Sequence, residues 1–194
     1  MKLPVCIFDL ESDMLCPSCQ SRLDNRQIAE FDIEFSRWML DRSSRYAGLE
    51  SLILARAIRL DQRIVLVVKK HGKELLESAD GLLEEIRHYF GEPIIFEIPI
   101  TLRSLVRQMV HPATEIGFNT LYLPDGTRET KVVLRSEDQP RIVYSLSEMK
   151  VIASSIMGEP VLFEYQSANS RSHAVSQSDN LMDLKMRELM TGRR

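Results

Sequence analysis

The period of the hydrophobic pattern changes several times along this chain, and each change predicts a new element of secondary structure. A first helix is predicted at 26–46, because its apolar residues recur at helical spacing. They are Ile28, Phe31, Phe35, Trp38 and Met39. Runs rich in β-branched residues then predict strands at 52–60 and 63–69. A helical pattern at 73–90 and a strand at 94–98 complete an α-β-β-α-β unit.

The second half repeats this order, with helices and strands predicted at 101–110, 116–123, 130–135, 146–157 and 161–165. Each half ends in a nearly identical segment, Gly91–Ile98 and Gly158–Tyr165. Both segments stop a helix with glycine and start a strand behind proline. This self-similarity indicates a duplicated unit of roughly seventy residues, a size that favours a binding module over an elaborate active site.

Two local motifs support the elements of the second half. Pro124-Asp125-Gly126 lies between two apolar runs and predicts a hairpin, because proline presets the turn and glycine accepts a positive φ. Ser145 and Glu148 have the spacing of a capping box at the start of the last helix. The predicted fold is therefore α+β with two tandem units. The predicted segments are a cysteine knuckle at 1–25, the units at 26–99 and 100–166, a polar linker at 167–180 and an amphipathic helix at 181–194.

Composition limits the function classes. The chain has 194 residues, 44% of them hydrophobic, and a formal net charge of −3. That charge argues against a protein that coats nucleic acid by bulk electrostatics, although it allows a local basic face. The longest apolar runs, such as 64–68, are too short to span a membrane. Asp9, Glu11 and Asp13 interrupt any apolar leader at the N-terminus, so we expect a cytoplasmic protein.

All three cysteines lie within the first nineteen residues. Cys16 and Cys19 form a C-x-x-C motif, and Cys6 precedes Asp9 at the same spacing. Zn²⁺ accepts a carboxylate oxygen beside sulfur in a tetrahedral site, so these four residues predict a zinc knuckle. Asp13 and Asp24 are alternative fourth ligands. A site that has lost its metal and a C-x-x-C redox pair are alternative interpretations, the latter disfavoured because the motif is predicted in a short loop and not at a helix start after a strand.

A cysteine knuckle, a helix entered through the acidic and apolar segment 28–34, and two α-β-β-α-β units resemble the archaeal NusA-like proteins with tandem KH-type modules. The resemblance covers residues 1–165 and differs at Asp9, since the family tends to carry paired C-x-x-C elements. It implies a factor of transcription or RNA metabolism that contacts single-stranded RNA, with RNA polymerase or the ribosome as its protein partner.

KH modules clamp single-stranded nucleic acid with a G-x-x-G loop. The corresponding positions here are 78–81, which keeps only its last glycine, and 145–148, which keeps neither. The acids Asp80 and Glu148 in these segments would repel phosphate. If the chain binds RNA, we therefore expect the usual KH clamp to be weakened or replaced by another binding mode.

Basic residues supply an alternative RNA surface. They cluster at the end of the second predicted strand, on the hairpin before it and on the helix at 101–110, and we predict that they form one phosphate-contacting face. They are Arg56, Arg59, Arg63, Lys69, Lys70, Lys73, Arg103 and Arg107. The alternative is a solvated charged surface, balanced by the nearby glutamates.

Catalytic motifs are missing from the sequence. The four histidines lie in separate segments, and no nucleophile elbow, Walker loop or H-E-x-x-H pair occurs. We therefore expect a non-enzymatic protein. Three classes remain: the RNA-binding factor, a protein adaptor that docks on the ribosome or RNA polymerase without reading RNA, and a metal-dependent redox or regulatory protein. The Leu- and Met-rich segment 181–194 offers an apolar face for a partner or for the protein's own domains.

Overall fold

A computed structural model of the chain describes residues 1–166 except Ala47, Leu123, Asp125 and Thr127. The predicted linker and the predicted C-terminal helix lie outside these described residues. In the described part the fold is α+β, as predicted, with two mixed three-stranded sheets.

The N-terminal segment contains two short helices, α1 (Ile7–Ser12) and α2 (Pro17–Asp24), where the sequence predicted a loop. Proline at the first position of α2 suits a helix start, since its missing N–H would have no intrahelical partner there. The backbone of Lys2 pairs with the chain on either side of Ile53, which ties the N-terminus to the first sheet.

The first half follows the predicted order, with one change. Its elements are α3 (Glu30–Arg42), β1 (Leu54–Arg59), β2 (Arg63–Lys69), α4 (Gly72–Ser78), α5 (Leu82–Phe90) and β3 (Glu92–Ile98). The single helix predicted at 73–90 is two helices, because Ala79 is extended and Gly81 is left-handed with φ +83°. The sequence predicted one helix because the helical spacing of apolar residues continues across residues 79–81. The break has its own local signal, since Asp80-Gly81 is typical of a turn.

The first sheet has the order β1-β2-β3, with β1 and β2 antiparallel and β2 and β3 parallel. Arg63 lies opposite Glu92 at one end of the sheet, and Lys69 lies opposite Ile98 at the other. The basic residues at the two ends of β2 are therefore separated by the length of a seven-residue strand, roughly 20 Å.

The second half has the same strand order and directions. Its elements are α6 (Leu102–Val110), β4 (Glu115–Tyr122), β5 (Arg128–Leu134), α7 (Leu146–Met157) and β6 (Val161–Tyr165). The predicted hairpin joins β4 to β5. The predicted capping box at α7 is confirmed: Glu148 N–H donates to Ser145 Oγ at 3.2 Å, and Ser145 N–H donates to the Glu148 carboxylate at 2.8 Å.

Strand β2 is buried on both faces, and this joins the two halves. Ile64, Leu66 and Val68 point into a core formed with α3, α4 and α5. Val65 and Val67 point into a second core, which contains residues of α6, α7 and both sheets. Helix α7 packs against β1 as well as β6. The two repeated units thus share a core, because the second unit covers the face of the first sheet that α3–α5 leave open.

Within the described residues, no helix combines the length and the apolar character that crossing a bilayer requires.

Candidate metal centre and basic groove

The four predicted metal ligands come from the starts of two helices. Cys6 is the N-cap of α1 and Cys16 is the N-cap of α2, both with extended backbone. Asp9 and Cys19 occupy the third position of the same helices. N-cap and third-position side chains meet over the first helical turn, as they do in a capping box. The shared spacing in the sequence therefore places two ligands at each helix start.

The two helix starts converge on one point. The ligand atoms of Cys6, Asp9, Cys16 and Cys19 all lie within 4.8 Å of one another, and Cys19 Sγ lies 3.6 Å from Cys6 Sγ. In a tetrahedral zinc site with bonds of about 2.3 Å to sulfur and about 2.0 Å to oxygen, neighbouring ligand atoms lie about 3.5–3.8 Å apart. The cluster has the size and the donor atoms for a single ion.

The buried members of the cluster lack other partners. Asp9 is 2% exposed, and its Oδ2 atom has no hydrogen-bond partner among the described residues. The neighbouring Cys19 thiol lowers the pKa of Asp9, while burial, with a further contribution from Asp9, raises the pKa of the Cys19 thiol to about 12. A divalent cation would satisfy Asp9 Oδ2 and stabilise Cys19 as a thiolate. These residues fit a metal by their chemistry as well as by their spacing.

The other ligands that the sequence offered have different partners. Asp13 forms an ion pair with Arg37, and Asp24 accepts a hydrogen bond from Gln20 Nε2 at 2.9 Å. The cysteines are free thiols. The motif of Cys16 and Cys19 does open a helix, contrary to the loop expected from the sequence, but the preceding element is helix α1 and not a strand.

A small apolar core supports the centre from behind. Val5, Leu10, Cys19 and Ile28 are buried in it, and Ile33 of α3 packs against them. Because α3 also belongs to the core of the first sheet, this contact attaches the four candidate ligands to the rest of the protein.

The eight predicted RNA-binding residues lie in separate places. Arg56 is mostly buried, with its Nε atom 3.0 Å from Asp32 Oδ2. Arg59 lies near Glu34, and its guanidinium faces the ring of Phe31. Lys69 and Lys70 are exposed at the end of β2.

The two arginines of α6 are also engaged. Arg107 Nε lies 3.0 Å from Glu115 Oε1, and the Arg103 guanidinium lies over the Phe118 ring. Both guanidinium groups lie against residues of strand β4 in the second sheet.

Arg63 and Lys73 share one groove of about 490 Å³. It runs between helices α4 and α5 and strand β3, and it ends at residues 143–144 of the second half. Its other lining residues are Glu77, Leu83, Arg87, Glu92, Pro93, Ile94, Ile95, Val143 and Tyr144. Arg63 and Lys73 are therefore two basic residues in a groove that both repeated units line.

Contacts between the halves position Arg63. Its Nη1 atom lies 3.4 Å from the Val143 carbonyl oxygen and 3.7 Å from Glu148 Oε1. Its guanidinium lies 5.2 Å from the centre of the Tyr144 ring. Burial raises the pKa of Tyr144, against the opposing effect of Arg63. Arg63 and Tyr144 form a cation–aromatic pair at the end of the groove.

The acids of the groove are partly neutralised. Arg87 donates to both carboxylate oxygens of Glu92, at 2.6 and 3.1 Å, and lowers the pKa of Glu92. Lys73 Nζ lies 3.8 Å from Glu77 Oε1. Arg87 and Tyr144 are not among the site residues predicted from the sequence. The spacing of Arg87 and Glu92 across Gly91 was a usable signal, because a strand that follows a helix end directly brings such residues together, but no local signal linked Tyr144 to Arg63.

The two segments at the G-x-x-G positions use their polar side chains differently. In the first half, Asp80 is exposed in the turn between α4 and α5. In the second half, Ser145 and Glu148 bond to each other in the capping box. The polar side chains of the second segment therefore cap the N-terminus of α7.

No protein-family model matches the chain, and no curated protein matches it in sequence. A solved structure described as the crystal structure of APE1850 aligns with 64% of this chain and 96% of that chain, at 13% identity and a TM-score of 0.47. This likeness is too low to carry an argument about fold or function.

Proposed function

We propose that this chain is a non-enzymatic, cytoplasmic factor that binds single-stranded RNA through the basic residues in and around the α4–α5 groove. The groove shared by Arg63 and Lys73 is the observation that carries this proposal, because both halves enclose it. The resemblance to archaeal NusA-like proteins supplies the setting, transcription or RNA metabolism, with RNA polymerase or the ribosome as the larger assembly.

The side chains of the groove suit a flexible polynucleotide. The cations of Arg63 and Lys73 would contact phosphates, and Lys69 and Lys70 would extend this contact beyond the groove. Tyr144 would present an aromatic ring beside Arg63, a combination that stacks on unpaired bases without requiring a particular sequence. Glu77, Glu92 and Glu148 would repel phosphate, but each has a basic partner, Lys73, Arg87 and Arg63 respectively.

A fluorescence-anisotropy titration against single-stranded RNA at several salt concentrations tests this function. We expect the triple variant Lys69→Ala/Lys70→Ala/Lys73→Ala to bind more weakly and to reduce the slope of log K against log salt by up to about 2, since each phosphate contact on a single strand contributes about 0.7. The control is Arg45→Ala/Arg128→Ala/Lys150→Ala, which removes the same charge from exposed positions outside the groove. Equal losses in both variants would contradict an RNA site at the groove and the lysines beside it.

The Zn²⁺ ion is the second part of the proposal. Cys6, Asp9, Cys16 and Cys19 would hold it, and the ion would supply a structural cross-link between α1 and α2. Asp9 and Cys19 are the buried ligands of this site. The small apolar core beneath them connects the site to α3. No open position for substrate chemistry is needed in this role.

A protein adaptor is the alternative function, and the second loop favours it. The capping box at Ser145 and Glu148 uses the loop side chains that would otherwise face a ligand. If the titration shows no RNA binding at low salt, the adaptor becomes the better proposal, with the ribosome or RNA polymerase as its docking partner.

A further inference from the structure

Strand β4 is an outer strand of the second sheet, and its exposed half carries no charge. In the described part of the chain, the sheet order places β5 on one side of β4 and no strand on the other. Glu115, its only charged residue, pairs with Arg107, and an irregularity in the pairing with β5 lies between Glu115 and Gly117. Beyond that point the pairing is regular, and residues 119–122 are exposed, Tyr122 at 78%.

The hydrogen bonds of β5 show which backbone groups of β4 point away from the sheet. The Thr130 N–H donates to the Pro160 carbonyl at 3.0 Å, on the side of β6. The next residue, Lys131, therefore turns its backbone groups toward β4, where it lies opposite Asn119. The alternate residues of β4 point their N–H and C=O groups outward, and within the described residues these groups make no hydrogen bond. We call them the β4 edge: Phe118, Thr120 and Tyr122.

The other outer strands are protected against pairing with another chain. On β1, the N–H of Ala57 donates to the buried carboxylate of Asp32 at 2.6 Å. On β3, an outward position is Pro93, which has no N–H to donate. On β6, the N–H of Val161 donates to Ser154 Oγ at 3.1 Å. Such covers and prolines keep edge strands from pairing between chains, and the β4 edge has neither among the described residues.

We propose that two copies of this chain pair through their β4 edges, antiparallel, about a two-fold axis at Thr120. The irregular pairing before Gly117 and the end of the strand at Tyr122 confine the regular edge to residues 118–122, whose centre is Thr120. In this register Thr120 lies opposite its equivalent, and Phe118 of one copy lies opposite Tyr122 of the other. Each such pair exchanges two backbone hydrogen bonds, so the two three-stranded sheets become one continuous sheet.

The side chains of β4 favour an identical strand as the occupant. A symmetric pair places each residue near its own copy, so a charged edge would repel itself, whereas the exposed half of β4 is uncharged. Phe118 and Tyr122 lie on the same face of the strand, and the proposed register makes them aromatic cross-strand neighbours. The Arg103 guanidinium lies 5.2 Å from the centre of the Phe118 ring and would lie beside the incoming Tyr122 ring as well.

Sedimentation velocity of the full-length chain over a concentration series tests the pairing. One strand pair is a small interface, so we expect a reversible dimer that forms as the protein concentration rises. Thr120→Lys should raise the dissociation constant at least about tenfold, because it places two like charges opposite each other at the two-fold axis. Ser78→Lys is the matched control: it adds the same charge at an exposed position at the end of α4 and should leave the dissociation constant unchanged.

Amide hydrogen exchange, followed residue by residue in the unmodified chain, tests the same contact without a variant. The N–H groups of Asn119 and Leu121 face β5 and should be protected at every protein concentration. Those of Phe118, Thr120 and Tyr122 should exchange rapidly in the dilute chain and about tenfold or more slowly once the dimer forms. This alternation along one strand is specific to pairing at the β4 edge.

Each other outcome overturns the proposal. A chain that stays monomeric up to about 1 mM would leave the β4 edge to a strand of a different protein. A dimer that Thr120→Lys does not weaken, or that Ser78→Lys weakens equally, would have its interface elsewhere. Slow exchange of the three outward amides at every concentration would show that the edge is covered within a single chain.

Discussion

Asp32 and Arg56 form an ion pair that connects three parts of the fold. Asp32 is fully buried near the start of α3, and its carboxylate accepts hydrogen bonds from Arg56 Nε at 3.0 Å and from the backbone N–H groups of Ala29 at 2.7 Å and Ala57 at 2.6 Å. Arg56 Nη1 also lies 3.5 Å from the carbonyl oxygen of Ser155 in α7. The start of α3, strand β1 and the second half therefore meet at one carboxylate.

Removing this carboxylate should destabilise the protein strongly. We expect Asp32→Ala to lower the free energy of unfolding by about 3–5 kcal/mol, because it leaves a buried guanidinium and two N–H groups without their acceptor. Glu34→Ala is the control on the same helix, since Glu34 and its partner Arg59 are both more than half exposed, and its effect should stay below about 1 kcal/mol. Urea unfolding measures both, and similar losses would contradict the role of Asp32.

The same residue predicts a dependence of stability on pH. Burial raises the pKa of Asp32, and the Ala57 N–H and Arg56 oppose this shift. A carboxyl group with a raised pKa holds its proton more tightly in the folded chain. Its stabilising contribution is therefore full below the unfolded pKa of about 3.9 and is lost as the pH rises through the folded pKa.

We accordingly expect the stability of the wild type relative to Asp32→Asn to decrease as the pH rises from about 3 through the mildly acidic range. Denaturant unfolding of both proteins over a pH series provides the measurement, and asparagine at this position serves as the non-titrating reference. A relative stability that increases with pH would mean that Arg56 and the backbone donors outweigh the burial of Asp32.

Metal content should depend on Asp9 and not on the other nearby aspartates. We expect Asp9→Ala and Cys19→Ser to abolish binding of a single Zn²⁺, since each removes one of four converging ligands. Asp13→Ala and Asp24→Ala should retain it, because those side chains bond to Arg37 and Gln20. Atomic emission gives the stoichiometry, and Co²⁺ substitution reports tetrahedral thiolate ligation by absorption. Zinc retained by Asp9→Ala would exclude the carboxylate as a ligand.

The two repeated glycines should differ in their tolerance of alanine. Both have a positive φ, +95° at Gly91 and +73° at Gly158. A Cβ at Gly91 would collide with the Gln62 carbonyl, whose carbon lies 2.7 Å away, whereas a Cβ at Gly158 meets nothing within 4 Å. We expect Gly158→Ala to cost about 1–2 kcal/mol for the backbone alone, and Gly91→Ala to cost at least about 1 kcal/mol more. Equal melting temperatures for the two variants would contradict this difference.

Much of the fold was predictable because its signals are local. The helix at 146–157 and the strand at 161–165 have the predicted bounds, and the capping box of Ser145 and Glu148 is present. The equal spacing of Cys6 to Asp9 and of Cys16 to Cys19 indicated paired ligands, but the sequence predicted a loop there. The structure has two helix starts instead, in which the N-cap and third positions lie close together. The break at Asp80-Gly81 had a turn signal that the continuing apolar period concealed.

Local patterns in the sequence define most of the helices and strands and the four residues of the candidate metal site, since helical and strand periods depend on neighbouring residues. Tertiary structure alone decided that Arg56 pairs with Asp32, that Arg63 meets Tyr144, and that the two units share a core. These contacts join residues far apart in the chain, and alternating charged residues on a strand look alike in sequence whether a neighbouring unit covers them or water does.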